Sequence, residues 1–235
     1  MTNDELSTAC RSDDDLLAHI ACFRITLIPV VWQLFFSDVQ QNAAVKVLGR
    51  LVRAGLLQRL PLIHAQVYFM LSTGAARRFG KATHWSRPPG PQALPVDIAT
   101  LLYCTGGTKL HKRMTDDEIC DLFPWFPQNQ KHDVFCHEQA QKTAVLEWIR
   151  TDHGGLGNHM VRKTYRRLEA WMNSLDFAEA TSRGQFRIVF LAPTSGKLSD
   201  IRSSIGRFDW PAGLHIHLAV IPQLLSISTR NTHGS

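Results

Sequence analysis

Residues 39–80 read VQQNAAVKVLGRLVRAGLLQRLPLIHAQVYFMLSTGAARRFG, and this stretch decides the fold of the first part of the chain. Four apolar residues recur near its start at helical spacing and predict a helix over 39–54. Gly55 follows this helix, as glycine commonly does after a helical C-terminus. The apolar stripe consists of Ala44, Val47, Leu48 and Leu51.

A hairpin follows the helix. Residues 65–70 (AQVYFM) are typical of a strand, and the proline and histidine before them indicate a turn after the apolar residues 56–57. Ser72-Thr73-Gly74 predicts the start of a short helix that ends near residue 79.

Two helices are predicted before this stretch. Ser12 followed by three aspartates predicts a capped helix start, and a second helix is predicted over 26–36 with Thr26 as its cap. Pro29 falls in the first turn of that helix, where proline is tolerated. Three helices followed by a two-stranded hairpin is the order of a winged helix-turn-helix domain, which we predict over 12–80.

No Asp or Glu occurs between Val39 and Val96. The net charge of the whole chain is +6, so the basic charge is concentrated in this segment. Such a field attracts polyanions, most often nucleic acid, although a basic solubilising face is the alternative. The segment contains eight basic residues: Lys46, Arg50, Arg53, Arg59, Arg77, Arg78, Lys81 and Arg87.

The predicted third helix suits the major groove of DNA. Glutamine and asparagine near its start can pair with adenine edges, while arginine and lysine elsewhere hold phosphates. The candidate base readers are Gln40, Gln41 and Asn42. The candidate phosphate contacts are Lys46, Arg50, Arg53, Arg59, Arg77 and Arg78.

The sequence also predicts the general organisation and environment of the chain. A proline-rich linker is expected over 81–95, a second domain over 96–226, and disordered tails at 1–11 and 227–235. No apolar run approaches the ~18–20 residues of a membrane span. Five scattered cysteines without a CxxC pair indicate reduced thiols in a cytoplasmic protein.

The second part of the chain predicts an α/β domain. A short helix is expected over 95–104 and a capped helix over 114–122. The remaining pattern is strand, strand, helix, strand, helix, strand. Its predicted elements are 133–136, 142–149, 159–173, 186–192, 198–205 and 214–220.

Two carboxylates in this domain suggest metal-dependent chemistry. Asp133 and Glu147 lie on strands predicted to be adjacent, and together could bind Mg²⁺ or Mn²⁺ for phosphodiester hydrolysis. Such a pair of carboxylates is typical of nucleases that carry an Asp followed by Glu-x-Lys. Ile149 occupies the lysine position here, so Lys163 on the next helix would have to supply the amine.

Four segments, together with the element order, resemble the bacterial replication-relaxation family over about residues 13–225. The resemblance implies a winged helix joined to a domain of the PD-(D/E)xK nuclease fold, in proteins linked to plasmid replication and DNA relaxation. Lys163 and Tyr165 match the lysine and tyrosine of the family's helix. His132 stands where the family has proline, and Ile149 where it has a second acid. The segments are 132–135 (HDVF), 143–155 (TAVLEWIRTDHGG), 161–171 (VRKTYRRLEAW) and 186–205 (FRIVFLAPTSGKLSDIRSSI).

Three functions follow as hypotheses. The first is a DNA-binding protein of a plasmid or other mobile element, which forms a homodimer and interacts with replication or relaxosome proteins. The second is a metal-dependent nuclease or nickase using Asp133, Glu147 and Lys163. The third is a protein-interaction module or regulator with an inactive nuclease-like domain. A second DNA-facing strip, or a solvated helix face, is formed by Arg162, Lys163, Arg166 and Arg167.

Overall fold

The computed structural model describes residues 12–63, 66–107, 111–127, 133–138, 144–152, 154 and 157–228. Over these residues it is a mixed α/β fold with ten α-helices, a three-stranded antiparallel sheet and a five-stranded mixed sheet. The chain divides into two compact units, Met1–Gly90 and Pro91–Ser235. The expected tails at 1–11 and 229–235 lie outside the described residues, while residues 227 and 228 belong to a helix.

Unit 1 holds the three-stranded sheet and four α-helices of the described residues, together with one short 3-10 helix. The strand order is β1-β3-β2, with both pairings antiparallel. The elements are α1 (Asp13–Phe23), β1 (Ile25–Leu27), α2 (Ile28–Phe35), α3 (Asn42–Arg53), β2 (Leu57–Pro61), β3 (Val67–Leu71), α4 (Thr73–Arg78) and the 3-10 helix Thr83–Ser86.

Local signals set some of the helix ends in unit 1. The Ser12 hydroxyl accepts a hydrogen bond from the Asp15 backbone N–H at 3.2 Å, which caps α1. Gly55 has φ +70° just beyond α3, in the left-handed region that favours glycine. The core joins the inward faces of α1 and α3 to β2 and β3, through Leu17, Leu48 and Phe69 among others.

Two predicted boundaries in unit 1 were wrong. The helix expected over 26–36 begins at Ile28, because Ile25–Leu27 pair with β3 as a strand instead. The helix expected from residue 39 begins at Asn42. The Val39 N–H closes a turn on the Phe36 carbonyl at 3.0 Å, and the Trp32 indole N–H donates to the Val39 carbonyl at 2.7 Å.

The first half of the segment predicted to be a linker belongs to unit 1 instead. Residues 83–86 form the 3-10 helix, which packs on unit 1. Ser86 is buried, its hydroxyl lies 3.1 Å from that of Thr73, and its carbonyl accepts from Gln58 at 2.9 Å. These contacts make residues 81–90 a part of unit 1.

Unit 2 is built on the five-stranded sheet, in the order β4-β5-β6-β7-β8. The pairs β4–β5 and β5–β6 are antiparallel, whereas β6–β7 and β7–β8 are parallel. The elements are α5 (Ala93–Gly106), β4 (His111–Arg113), α6 (Asp116–Leu122), β5 (Val134–Glu138), β6 (Leu146–Thr151), α7 (Gly157–Trp171), α8 (Leu175–Ser182), β7 (Phe186–Ala192), α9 (Ser195–Ile205), β8 (His215–Val220) and α10 (Leu224–Ser228).

Helices cover the sheet of unit 2 on two faces. Side chains from α7 and α9 pack on one face around Trp148, Phe186 and Phe190. On the other face, the Tyr103 hydroxyl of α5 reaches Glu147 of β6. Strands alternate their side chains between faces, so every residue of β6 belongs to one of these two environments.

Among the described residues of both units, no helix is long and apolar enough to cross a membrane.

Candidate functional site

The candidate base readers lie together at the start of α3. Gln40 and Gln41 precede the helix, Asn42 is its first residue, and all three are exposed. Ala44, Leu48 and Leu51 bury the opposite face of α3 against the core of unit 1. The three amides are therefore exposed together at the N-terminal end of α3.

Two of the expected phosphate contacts are engaged within unit 1. Arg50 makes a bidentate pair with Asp13 at 2.7 and 2.5 Å, and Arg78 pairs with Asp14 at 2.8 and 2.9 Å. The hydrogen bond from Arg50 holds the pKa of the Asp13 carboxyl below its ordinary value. The segment without acids is thus partly neutralised by acids that α1 supplies.

The remaining basic residues of this surface are open to solvent. Lys46, Arg53, Arg59 and Arg77 are exposed and make no ion pair or side-chain hydrogen bond in the described part of the chain. Lys46 and Arg53 lie on α3, and Arg59 lies on β2. We call Gln40, Gln41, Asn42, Lys46, Arg53 and Arg59 the α3 surface.

The second basic strip is smaller than expected. Arg162, Lys163 and Arg166 are exposed on α7. Arg167 instead pairs with Asp133 at 2.7 Å, and its guanidinium lies 5.5 Å from the centroid of the Trp171 ring. Arg167 therefore stabilises unit 2 and is not a free cation of this strip.

Asp133 and Glu147 do not converge as expected. Glu147 is paired in register with Cys136, and Val134 with Ile149, so Asp133 falls opposite Arg150. Side chains at 133 and 150 therefore occupy the opposite face of the sheet from Glu147. The predicted two-carboxylate metal site is not formed.

Asp133 is enclosed by cations from the α7 side. Its side chain is 3% exposed and lies 3.3 Å from Arg150 Nη1 and 2.7 Å from Arg167 Nη2. Arg150 also donates to Thr164 at 3.1 Å, and burial lowers the pKa of its guanidinium. Lys163, the expected catalytic amine, is exposed and makes no such contact in the described residues.

Glu147 is fully buried on the α5 side, and both of its oxygens are engaged. Arg187 Nη1 lies 2.7 Å from Oε1, while His111 Nδ1 lies 2.8 Å from Oε2. The Tyr103 hydroxyl donates to Oε2 at 3.2 Å. Burial, followed by the negative charge of Glu147, raises the pKa of Tyr103. Each oxygen of this carboxylate is thus already engaged by a protein side chain.

Sequence reasoning missed the partners of Glu147. Tyr103, His111 and Arg187 are 44, 36 and 40 positions from Glu147 and share no motif with it. The pairing of β6 with β7 brings Arg187 to Glu147, and the position of α5 brings Tyr103. The pairing of both β4 and β6 with β5 brings His111. Across the described residues, no group of three or more His, Cys, Asp and Glu side chains is suited to hold a metal ion.

Comparison with protein-family models, with curated proteins and with solved structures finds no match to this chain.

Proposed function

We propose that unit 1 is a winged helix that binds duplex DNA. One observation carries the proposal: α1, β1, α2, α3, β2 and β3 follow in the winged-helix order, with β3 between β1 and β2. This arrangement packs one side of α3 on the core and leaves its amides and bases outside.

The α3 surface supplies the chemistry of recognition. Gln41 and Asn42 would pair with adenine N6 and N7 in the major groove. Lys46 and Arg53 would hold phosphates on either side of the groove, and Arg59 would contact the backbone from the β2–β3 hairpin. Arg50 and Arg78 are assigned to their pairs with Asp13 and Asp14.

We also propose that unit 2 is a nuclease-like fold without nuclease chemistry. The strands β4, β5 and β6 are antiparallel neighbours, α7 and α8 follow β6, and β7 then pairs with β6 in parallel, an α/β arrangement that supports this part of the proposal. Asp133 and Glu147 lie on opposite faces of the sheet and so do not share a metal site, and the role we propose for unit 2 is partner binding or dimerisation. The proposed setting is a cytoplasmic protein of a plasmid or other mobile element, with replication or relaxosome proteins as partners.

The test is binding to a 20-base-pair duplex by fluorescence anisotropy at several salt concentrations. Removing two phosphate contacts with Lys46→Ala/Arg53→Ala should weaken binding at least 10-fold and flatten the salt slope by about 1.8, at ~0.9 per phosphate. Arg202→Ala removes an exposed arginine of α9 and is the matched control. Equal affinities of the wild type and the double variant would refute the proposal.

The same samples test the nuclease alternative. Plasmid DNA incubated with the protein and Mg²⁺ or Mn²⁺ should run unchanged on a gel. Nicked or linear products that disappear in Glu147→Ala would restore the enzyme hypothesis.

A further inference from the structure

We propose that the α5-side face of the unit 2 sheet carries a phosphate-binding site formed by Arg187, His215 and His217, with Tyr103 as its wall. The site lies entirely in unit 2, so the inference does not depend on the DNA-binding role of unit 1. Its ligand class is a phosphate monoester or diester.

The strand register places the three donors on one face. Arg187 is paired with Glu147 on one side and with His215 on the other, and Val189 is paired with His217. Partners in a parallel register point to the same face, and residues two apart along a strand also share it. Arg187 reaches Glu147, and Glu147 contacts Tyr103, so this is the face that carries α5.

The chain entry into β8 is set by a glycine. Gly213 has φ +81°, and a Cβ at this position would lie 2.5 Å from the Ser182 carbonyl oxygen. No other residue fits this approach without a shift of the backbone. This close approach of Gly213 to the end of α8 sets where the chain enters β8, two residues before His215.

The face is open where the histidines lie. His215 and His217 are exposed, whereas Ile216 and Leu218 pack on the core of the opposite face. The Tyr103 ring lies 4.8 Å from the His111 ring and 6.2 Å from the His217 ring, between centroids. The Tyr103 ring thus lies beside the solvent-accessible imidazole of His217.

The chemistry of the face favours an anion over a cation. Arg187 and His111 already occupy both oxygens of Glu147. Arg187 uses one terminal nitrogen for this pair, its side chain is 25% exposed, and its other N–H groups have no partner among the described residues. These N–H groups and two imidazoles give several donors for one tetrahedral anion, which offers acceptor oxygens in several directions.

Proton uptake should accompany binding. Burial, and then the charge of Arg187, lowers the pKa of His217, which favours the neutral ring in the free protein. Several groups face this ring: Arg187 of β7, Glu147 of β6, His111 of β4 and Tyr103 of α5, with His215 on its own strand. A bound phosphate would favour the imidazolium form, so affinity should rise as the pH falls.

The experiment titrates the 235-residue chain at pH 6.0 with three probes: inorganic phosphate, thymidine 5′-monophosphate and a single-stranded dinucleotide. Histidine ring signals in NMR report the site, and calorimetry reports the affinity. His215→Asn/His217→Asn should weaken binding at least 10-fold. His159→Asn removes an exposed imidazole of α7 and is the matched control.

The pH arm uses the dinucleotide, because a phosphodiester does not titrate between pH 5.5 and 8. We expect at least fivefold tighter binding at pH 5.5 than at pH 8 in the wild type, and no such change in the double variant. Binding of all three probes would show that a phosphate group is sufficient for binding. Binding of the dinucleotide alone would identify a nucleic-acid strand as the ligand. Unmoved His215 and His217 signals, or a double variant that binds as the wild type does, would overturn the proposal.

Discussion

Glu147 illustrates what a single buried charge demands of its surroundings. Taking a carboxylate out of water is costly unless opposite charge and hydrogen bonds replace the water. Arg187, His111 and Tyr103 provide these contacts from three different elements. Glu147, which the sequence suggested as a metal ligand of a nuclease, therefore has both carboxylate oxygens engaged by protein side chains.

Replacing Arg187 should be costly for this reason. Arg187→Gln leaves Glu147 buried without its guanidinium, and we expect the free energy of unfolding to fall by about 3 kcal/mol. Glu147→Gln/Arg187→Gln removes both charges and should lose less than the single variant. Urea unfolding of the three proteins measures the difference. A double variant that is less stable than Arg187→Gln would contradict this account.

His19 predicts a dependence of stability on pH. Its ring lies between Phe23 and Phe35, 3.2 Å from the Thr26 hydroxyl, and burial lowers its pKa to about 4. The unfolded chain, with an ordinary pKa of about 6.5, binds more protons in the window between these values. The stabilisation is therefore complete above pH 6.5 and is lost as the pH falls towards 4.

The measurement compares the wild type with His19→Gln. Between pH 7 and pH 5 the wild type should lose about 1–2 kcal/mol more of its unfolding free energy than the variant does, allowing for partial exposure of the ring. Identical pH profiles for the two proteins would show that His19 is not the titrating group.

At the scale of elements, the helices were easier to predict than the short strands. The start of α1 and the end of α3 follow from Ser12 and Gly55, which act within their own turn of chain. β1 and β4 have three residues each, and both depend on a partner strand that is distant in sequence. No local pattern distinguishes such a strand from a helix end.

The capping box of α6 allows a test at this scale. The Thr115 hydroxyl accepts from the Glu118 N–H, and the Glu118 carboxylate accepts from the Thr115 N–H. Thr115→Ala should cost about 1 kcal/mol of unfolding free energy, measured by thermal or urea unfolding. Ser174→Ala is the matched control, because Ser174 precedes α8 without a side-chain capping bond and its removal should have little effect. Equal losses in the two variants would argue against the capping role.

At the scale of the molecule, each unit has its own apolar core. One core joins α1, α3, β2 and β3, and the other lies between the five-stranded sheet and α7, α8 and α9. A unit with a complete core and no missing strand can fold alone. The proposed DNA-binding surface and the proposed phosphate site should then be separable.

The fragments 1–90 and 91–235 test this independence. Each should unfold cooperatively in circular dichroism, and fragment 1–90 should bind duplex DNA within about threefold of the full chain, since every predicted contact of the α3 surface lies within it. A fragment 1–90 that is folded but does not bind would move the DNA interface away from α3. An unfolded fragment would refute the independence of the unit.

The sequence alone did not predict α8 or α10. It did predict the other helices, the hairpin after α3, the strand β7 and the concentration of basic charge between residues 39 and 96. These properties depend on periodicity, caps and composition, which act over a few neighbouring residues. Only the tertiary structure determines which charged side chains form ion pairs. Asp13 neutralises Arg50 across 37 residues, and the β5–β6 register sends Asp133 and Glu147 to opposite faces. A shift of one residue in that register would reverse the face of every side chain on the strand, and no local signal in the sequence specifies it.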